Sequence, residues 1–138
     1  GMARAWTPVG RESAARTIGA TGLGITTPAL LAARDLIEHE GFEVVDKVAL
    51  EIPDNLEVGR RDPMALVDIY KKLKLDGVDV LVLSSCVQMP SLAAIPIVER
   101  ECGLPVISAS VCTTYQMLQK LGLKTLAPNA GALLSGKY

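Results

Sequence analysis

The sequence predicts an α/β domain: a parallel sheet of about four strands flanked by helices. Three observations predict it. Apolar runs alternate along the chain with stretches of helical period, the pattern of successive βαβ units. Residues 78–83 (VDVLVL) are apolar almost without break, as expected of a strand buried on both faces of a parallel sheet. Glycines stand where three of the helical patterns stop, at Gly41, Gly103 and Gly122.

Taken in order, residues 16–21 (RTIGAT) form a weak strand. Thr26, Thr27 and Pro28 open a helix that runs to about Glu40, with Leu30, Ala33 and Ile37 at helical spacing. Residues 42–50 read as a valine-rich strand, and residues 51–61, with Pro53, Asp54, Asn55 and Gly59, as a polar loop. Asp62 and Pro63 supply a cap and a first-turn proline for a helix to about Leu75. After the strand at 78–83, a helix is expected over 90–102, a short strand at 106–107 and a helix over 111–121. The tail, 123–138, shows no clear period.

Composition narrows the function classes. The 138 residues are 49% hydrophobic and 21% charged, enough to bury a core in one domain spanning 1–138. Fourteen basic and 15 acidic residues leave a formal charge of −1, and aromatics are 4%. Neither balance suits a phosphate backbone or stacked bases, so no nucleic-acid partner is expected. No apolar run nears the roughly 20 residues of a membrane helix. The start lacks a signal-peptide core, and Gly1 before Met2 reads as a remnant of tag cleavage. Three cysteines at uneven spacing make neither a disulfide framework nor a zinc site. A cytoplasmic protein with reduced thiols is expected.

In a parallel sheet, ligands bind outside the carboxyl ends of the strands. The turns to inspect are therefore 22–27, 51–61, 84–90 and 108–111. The turn 84–90 reads SSCVQMP, between the best strand and a helix. A thiol there, Cys86, faces the positive end of the helix dipole and unpaired backbone N–H groups, which stabilise thiolate. The same N–H groups suit a carboxylate. The competing reading of Cys86 is a small buried residue in a tight turn. Cys102, at the carboxyl end of a helix, reads as structural. Cys112 opens the last helix after Ser108, Ala109 and Ser110 and has an electrostatic advantage similar to that of Cys86, but Val111 and a helical apolar stripe favour packing. His39 reads as a solvated surface residue. Asn55 offers an uncharged amide to a carboxylate, or, with Asp54, simple turn chemistry. Arg60 and Arg61 read as surface charge before a helix cap. Gly19, Gly22 and Gly24 form a spaced-glycine loop whose register does not match a dinucleotide fingerprint.

The stretch 79–122 (DVLVLSSCVQMPSLAAIPIVERECGLPVISASVCTTYQMLQKLG) resembles the C-terminal half of the aspartate/glutamate racemase superfamily. It is most similar to maleate cis-trans isomerases and arylmalonate decarboxylases. Residues 41–45 (GFEVV), 52–60 (IPDNLEVGR) and 127–131 (APNAG) carry the resemblance further, to about four fifths of the chain. It implies one half of a two-domain fold whose halves are related by a pseudo-twofold axis, with the site between them and the N-terminal half missing here. It also implies cofactor-independent, metal-free chemistry on a small dicarboxylate or carboxylate. In the isomerase, one cysteine adds to the alkene and the cysteine of the C-terminal half handles the proton. Cys86 matches that second cysteine. Asn55 matches a carboxylate-binding asparagine, and the backbone N–H groups of Val87 and Gln88 would complete the carboxylate site. Where the isomerase has a tyrosine after its first strand, this chain has Ile25.

The expected function is therefore a cysteine-dependent isomerase of the maleate type. The alternatives are a decarboxylase or racemase with one cysteine as proton donor, or a non-catalytic single-half binding or assembly domain. One way to complete the site is a homodimer that presents Cys86 from each chain across one cleft.

Overall fold

The computed structural model describes residues 17–22, 27–50, 52, 54–83 and 90–136. Four parallel strands form one sheet in the order β2-β1-β3-β4, with β1 at Thr17–Gly22, β2 at Glu43–Ala49, β3 at Val80–Leu83 and β4 at Val106–Ile107. The helices are α1 (Thr27–His39), α2 (Asn55–Gly59), α3 (Leu66–Ile69), α4 (Ile95–Cys102) and α5 (Ala109–Lys120).

The weakest strand in the sequence is an interior one. β1 pairs with β2 on one side and β3 on the other. Gly19 does not belong to a phosphate-type loop: it lies within β1, where an added Cβ would meet Leu75 Cδ2 at 3.3 Å. Gly22 ends the same strand, and Gly24 lies outside the described residues. Thr17 locks the amino end of β1 to β3. Its N–H donates to Asp79 Oδ2 at 3.0 Å, its carbonyl accepts from the Asp79 N–H at 3.0 Å, and its hydroxyl donates to the Gly77 carbonyl.

β3 departs from the expected burial on both faces. Leu81 and Leu83 are fully buried in a cluster with Leu66, Ile95, Val98 and Val106, whereas Val80 and Val82 are half-buried. The sheet therefore has one densely packed face and one thinly covered face. Burying each large aliphatic side chain of the first face contributes roughly 1.5–3 kcal/mol.

Several boundaries differ from expectation, each for a local reason. The polar loop over 51–61 contains α2, because the Asp54 carboxylate accepts the Leu56 N–H at 2.9 Å and starts a helical turn. The helix expected to run to Leu75 breaks into a 3₁₀ turn at Pro63–Ala65, α3, and a second 3₁₀ turn at Tyr70–Lys72. Its burial still follows helical spacing, through Leu66, Ile69, Tyr70 and Leu73. Asp46 Oδ2 draws the Lys74 N–H away at 2.9 Å, outside any helical ladder. α4 starts at Ile95 rather than 90, after a turn in which the Ser91 carbonyl accepts from Ala94 and Ile95. α5 starts at Ala109, ahead of 111, because the buried Ser108 hydroxyl accepts the Val111 N–H at 3.3 Å.

The tail is part of the core although it has no period. Glu99 Oε1 accepts two backbone N–H groups, from Val106 at 3.0 Å and Ala132 at 2.8 Å. One carboxylate thus joins α4, β4 and the 3₁₀ turn Ala132–Leu134, and seats Ala130 and Leu134 in the core. Gly131, at φ +83°, makes the approach possible: an added Cβ would lie 2.7 Å from Ile95 Cγ2.

Two stability outcomes follow. Gly131→Ala and Glu99→Ala each cost about 2 kcal/mol or more, the first by overpacking at a positive φ and the second by orphaning two N–H donors. Chemical denaturation should show the loss as a lowered midpoint with an unchanged slope. Asp46 accepts from Lys74 and Lys47, and these bonds hold its carboxyl below the usual range. A lowered folded value means that its contribution is present above the unfolded value near ~3.9 and is lost as pH falls through the folded value. The Tm gap between the native chain and Asp46→Ala should be present at pH 7 and narrow on the acid side.

Candidate functional site

The strand order sets where a ligand can sit. From β1 the chain goes to β2 on one side, then crosses back to β3 on the other. The connections leaving β1 and β3 therefore diverge, and the carboxyl ends of these strands are where a ligand is expected in such a sheet. Thr21 and Leu83 are register partners at that edge. Both are buried, and the Thr21 hydroxyl lies 3.4 Å from the Val82 carbonyl. The segment 84–89 leaves from Leu83 and rejoins at Pro90, just before the buried Ser91.

Cys86, Val87 and Gln88 lie within 84–89, outside the described residues. Asn55 is the first residue of α2, so its backbone stands on the carboxyl side of β2; its side chain is outside the description. Asp54 is exposed and serves as the α2 cap, which bears out turn chemistry for the acidic member of the pair. Ile25 also falls outside the described residues.

The other cysteines separate clearly. Cys102 is the last residue of α4, half-buried, with Sγ 3.9 Å from the Leu104 carbonyl. Cys112 is not at the opening of α5 but its fourth residue, with its N–H bonded to the Ser108 carbonyl at 3.0 Å. It is half-buried, and burial pushes its thiol up. The half-buried position, one turn into α5, agrees with packing rather than with an activated thiol.

His39 ends α1 in solvent. Arg60 is exposed, and Arg61 reaches Glu57 at 3.3 Å, as surface charge does. Among the described residues, no group of three histidine, cysteine or acidic side chains is placed to hold a metal ion, and no helix is long and apolar enough to cross a membrane.

Ser108 was passed over in the sequence except as a neighbour of Cys112. It is buried directly after β4, caps α5, and lies 3.0 Å from Ser110 Oγ. Its signal was positional: a serine at a strand's carboxyl end, three residues before the amide that it caps. Leu56 and Leu92 were also missed. They stand on α2 and two residues after Pro90, and their exposures are 69% and 48%.

The arylmalonate decarboxylase family model matches residues 12–134. A maleate isomerase of Geobacillus stearothermophilus is 52% identical over 127 residues, which cover 89% of this chain and 51% of the relative. A crystal structure of a maleate isomerase from Pseudomonas putida S16 with maleate, in a cysteine-to-alanine form, superposes with TM-score 0.78 at 48% identity. That match covers 88% of this chain and 48% of the other. A Nocardia farcinica maleate cis-trans isomerase, a cysteine-to-serine mutant with a covalently bound succinylcysteine intermediate, superposes with TM-score 0.77 at 38% identity. It is covered to 50%, and this chain to 90%. The chain spans about half the length of the curated relatives it matches.

At pH 7, Cys112 should alkylate with iodoacetamide at least several-fold more slowly than a free thiol, because its raised pKa leaves less thiolate. Peptide mass mapping of a time course reads this directly.

Proposed function

The chain belongs to the arylmalonate decarboxylase family, and on that premise we propose that it forms one lobe of a cofactor-independent maleate cis-trans isomerase. The observation that carries the proposal is the position of Cys86. In the sequence it stands three residues beyond Leu83, the last residue of interior strand β3, and β3 borders the point where the strand order reverses. A maleate isomerase 52% identical to this chain and a covalent succinylcysteine in the Nocardia relative support it.

In this reading, a thiolate from a second lobe adds to one alkene carbon of maleate. The alkene pair moves to the neighbouring carbon and delocalises into its carboxylate. Cys86 gives its proton to that carbon, leaving a single bond free to rotate. Cys86 then takes the proton back, the C–S bond breaks and fumarate leaves. The Asn55 amide and the N–H groups of Val87 and Gln88 hold a carboxylate without adding negative charge. Cys86 needs a pKa near the working pH for both transfers.

The second lobe comes either from a longer chain or from a second copy facing this one across the cleft. Leu56 and Leu92, both exposed, would offer it an apolar seat. The family match also favours a second reading, loss of CO₂ from a disubstituted malonate, with Cys86 protonating the enediolate.

Iodoacetamide labelling of each cysteine with and without maleate tests the site. Cys86 should label fastest and be slowed by maleate. Asn55→Ala should raise the maleate concentration needed for protection about 10–100-fold, the loss of a hydrogen bond to a charged group. Uniform slow labelling, indifferent to maleate, would remove Cys86 from the chemistry. Fumarate formation separates isomerase from decarboxylase, which releases CO₂ from a malonate and leaves maleate unchanged.

A further inference from the structure

The tail that follows α5 leaves an open groove whose lining offers hydrogen-bond donors but few acceptors. α5 leaves the carboxyl end of β4 and runs back for 12 residues. That is about 18 Å of rise, which brings its last turn near the amino ends of the strands. The chain then turns at Gly122 (φ +66°), and Leu126 bridges antiparallel to Ser135. Between the helix end and this bridge lies a groove of about 770 Å³, whose lining includes Gln119, Leu123, Lys124, Leu126 and Ser135. Small-molecule sites have this order of size.

The acceptors around the groove are already engaged. In the last turn of α5, the Met117, Leu118 and Gln119 carbonyls accept from Leu121, Leu123 and Gly122 at 3.0, 2.9 and 3.1 Å. The Lys124 and Thr125 carbonyls accept from Leu126 at 2.9 Å and from Gly136 at 3.0 Å. The chain thus blunts the negative end of the helix with its own N–H groups.

The donors are less fully used. Ser135 Oγ is shut off from water and has no hydrogen-bond partner among the described residues, an exception in a folded chain. Lys124 is exposed, and its ammonium makes no ion pair among the described residues. Gln119 Nε2 gives one N–H to Tyr115 Oη at 2.8 Å and has a second to give. No acidic side chain lines the groove, and none of the 15 acidic residues stands after Glu101. Leu123 and Leu126, 56% and 59% exposed, set apolar surface beside these donors. Leu126 lies over Gly136, its Cδ1 3.7 Å from where a Cβ there would stand.

We propose that this groove is a binding site for a small organic monoanion, a carboxylate carrying a short apolar chain. Lys124 balances its single negative charge. The Ser135 hydroxyl donates to a carboxylate oxygen once the Leu126 side chain turns off Gly136, and the apolar chain lies on Leu123 and Leu126. One ammonium matches one carboxylate, whereas a phosphate dianion would be left half paired. The groove lies at the other end of α5 from Ser108, which follows β4 at the carboxyl edge of the sheet. The proposal does not depend on the function proposed above.

Titration of the ¹⁵N-labelled full chain with hexanoate, at constant ionic strength, tests it through backbone amide shifts. Hexanoate should shift the Lys124, Thr125, Ser135 and Gly136 amides together and saturate in the millimolar range. Carboxylate bound at the carboxyl ends of the strands would shift a different set of amides. Hexanamide, without the charge, should bind about threefold more weakly or worse. Acetate, which lacks the apolar chain, should bind at least about tenfold more weakly. Ser135→Ala should weaken hexanoate about tenfold, the loss of a hydrogen bond to a charged group. Lys124→Gln should weaken it about threefold, the worth of an exposed charge pair, and its exposed position keeps the fold should Ser135→Ala not fold. Shifts that grow without saturating, hexanamide binding as tightly as hexanoate, or saturation unchanged in the folded variants overturns the proposal.

Discussion

The architecture depends on one strand accepting a neighbour on each side. β1 is short, poor in large apolar residues and twice interrupted by glycine, yet it pairs along its length with β2 and over four positions with β3. Gly19 makes this possible, because the space that a side chain would need is taken by Leu75. Once β1 is interior, β2 and β3 fall on opposite sides of it and the switch between them is fixed. The divergence of the connections that leave β1 and β3 follows from that arrangement. Thr17 and Asp79 reinforce it at the amino end, where their exchanged hydrogen bonds hold β1 and β3 in register.

The legible part of the fold was the part written in period and punctuation. The four strands were readable to within two residues at each end, because apolar runs bounded by glycine and polar residues have few other readings. Helix stops at Gly41, Gly103 and Gly122 were readable because all three adopt the left-handed conformation, at φ +87°, +73° and +66°. Breaks caused by distant partners were not readable. The Lys74 amide leaves helical geometry for Asp46, 28 residues away, and the tail folds onto Glu99, 33 residues before Ala132. Uneven burial of β3 was equally hidden, since an all-apolar strand does not say which face its helices cover more thickly.

The sequence proposed the site by position in the chain and by residue type. The cysteine at the carboxyl end of the best strand stood out by position, and the same rule proposed Cys112 beside the next strand. Their difference is instructive. A helix start favours thiolate only where the sulfur keeps access to water, and Cys112, four residues into α5 and half-buried, pays desolvation instead. Position relative to a helix is thus a weak guide to thiol reactivity without the burial beside it. Ser108 went unremarked for the complementary reason: its hydroxyl is committed to starting α5 and to Ser110, a role that residue type alone does not distinguish from substrate contact.

The chemistry proposed for Cys86 bears on what one lobe can do. A thiol that has bonded to one alkene carbon has no proton left for the neighbouring carbon, so addition and protonation need two groups on two sides of a planar substrate. Cys102 sits at the far end of α4, and Cys112 is desolvated within α5. Neither provides a second activated thiol. In the proposed reading a single lobe holds a carboxylate and exchanges a proton beside it, whereas bond rotation in the substrate waits on a thiolate from across the cleft. In that reading catalysis is a property of the paired lobes, and the packed sheet of this one, with Leu83 and Ser91 buried, is its fixed half.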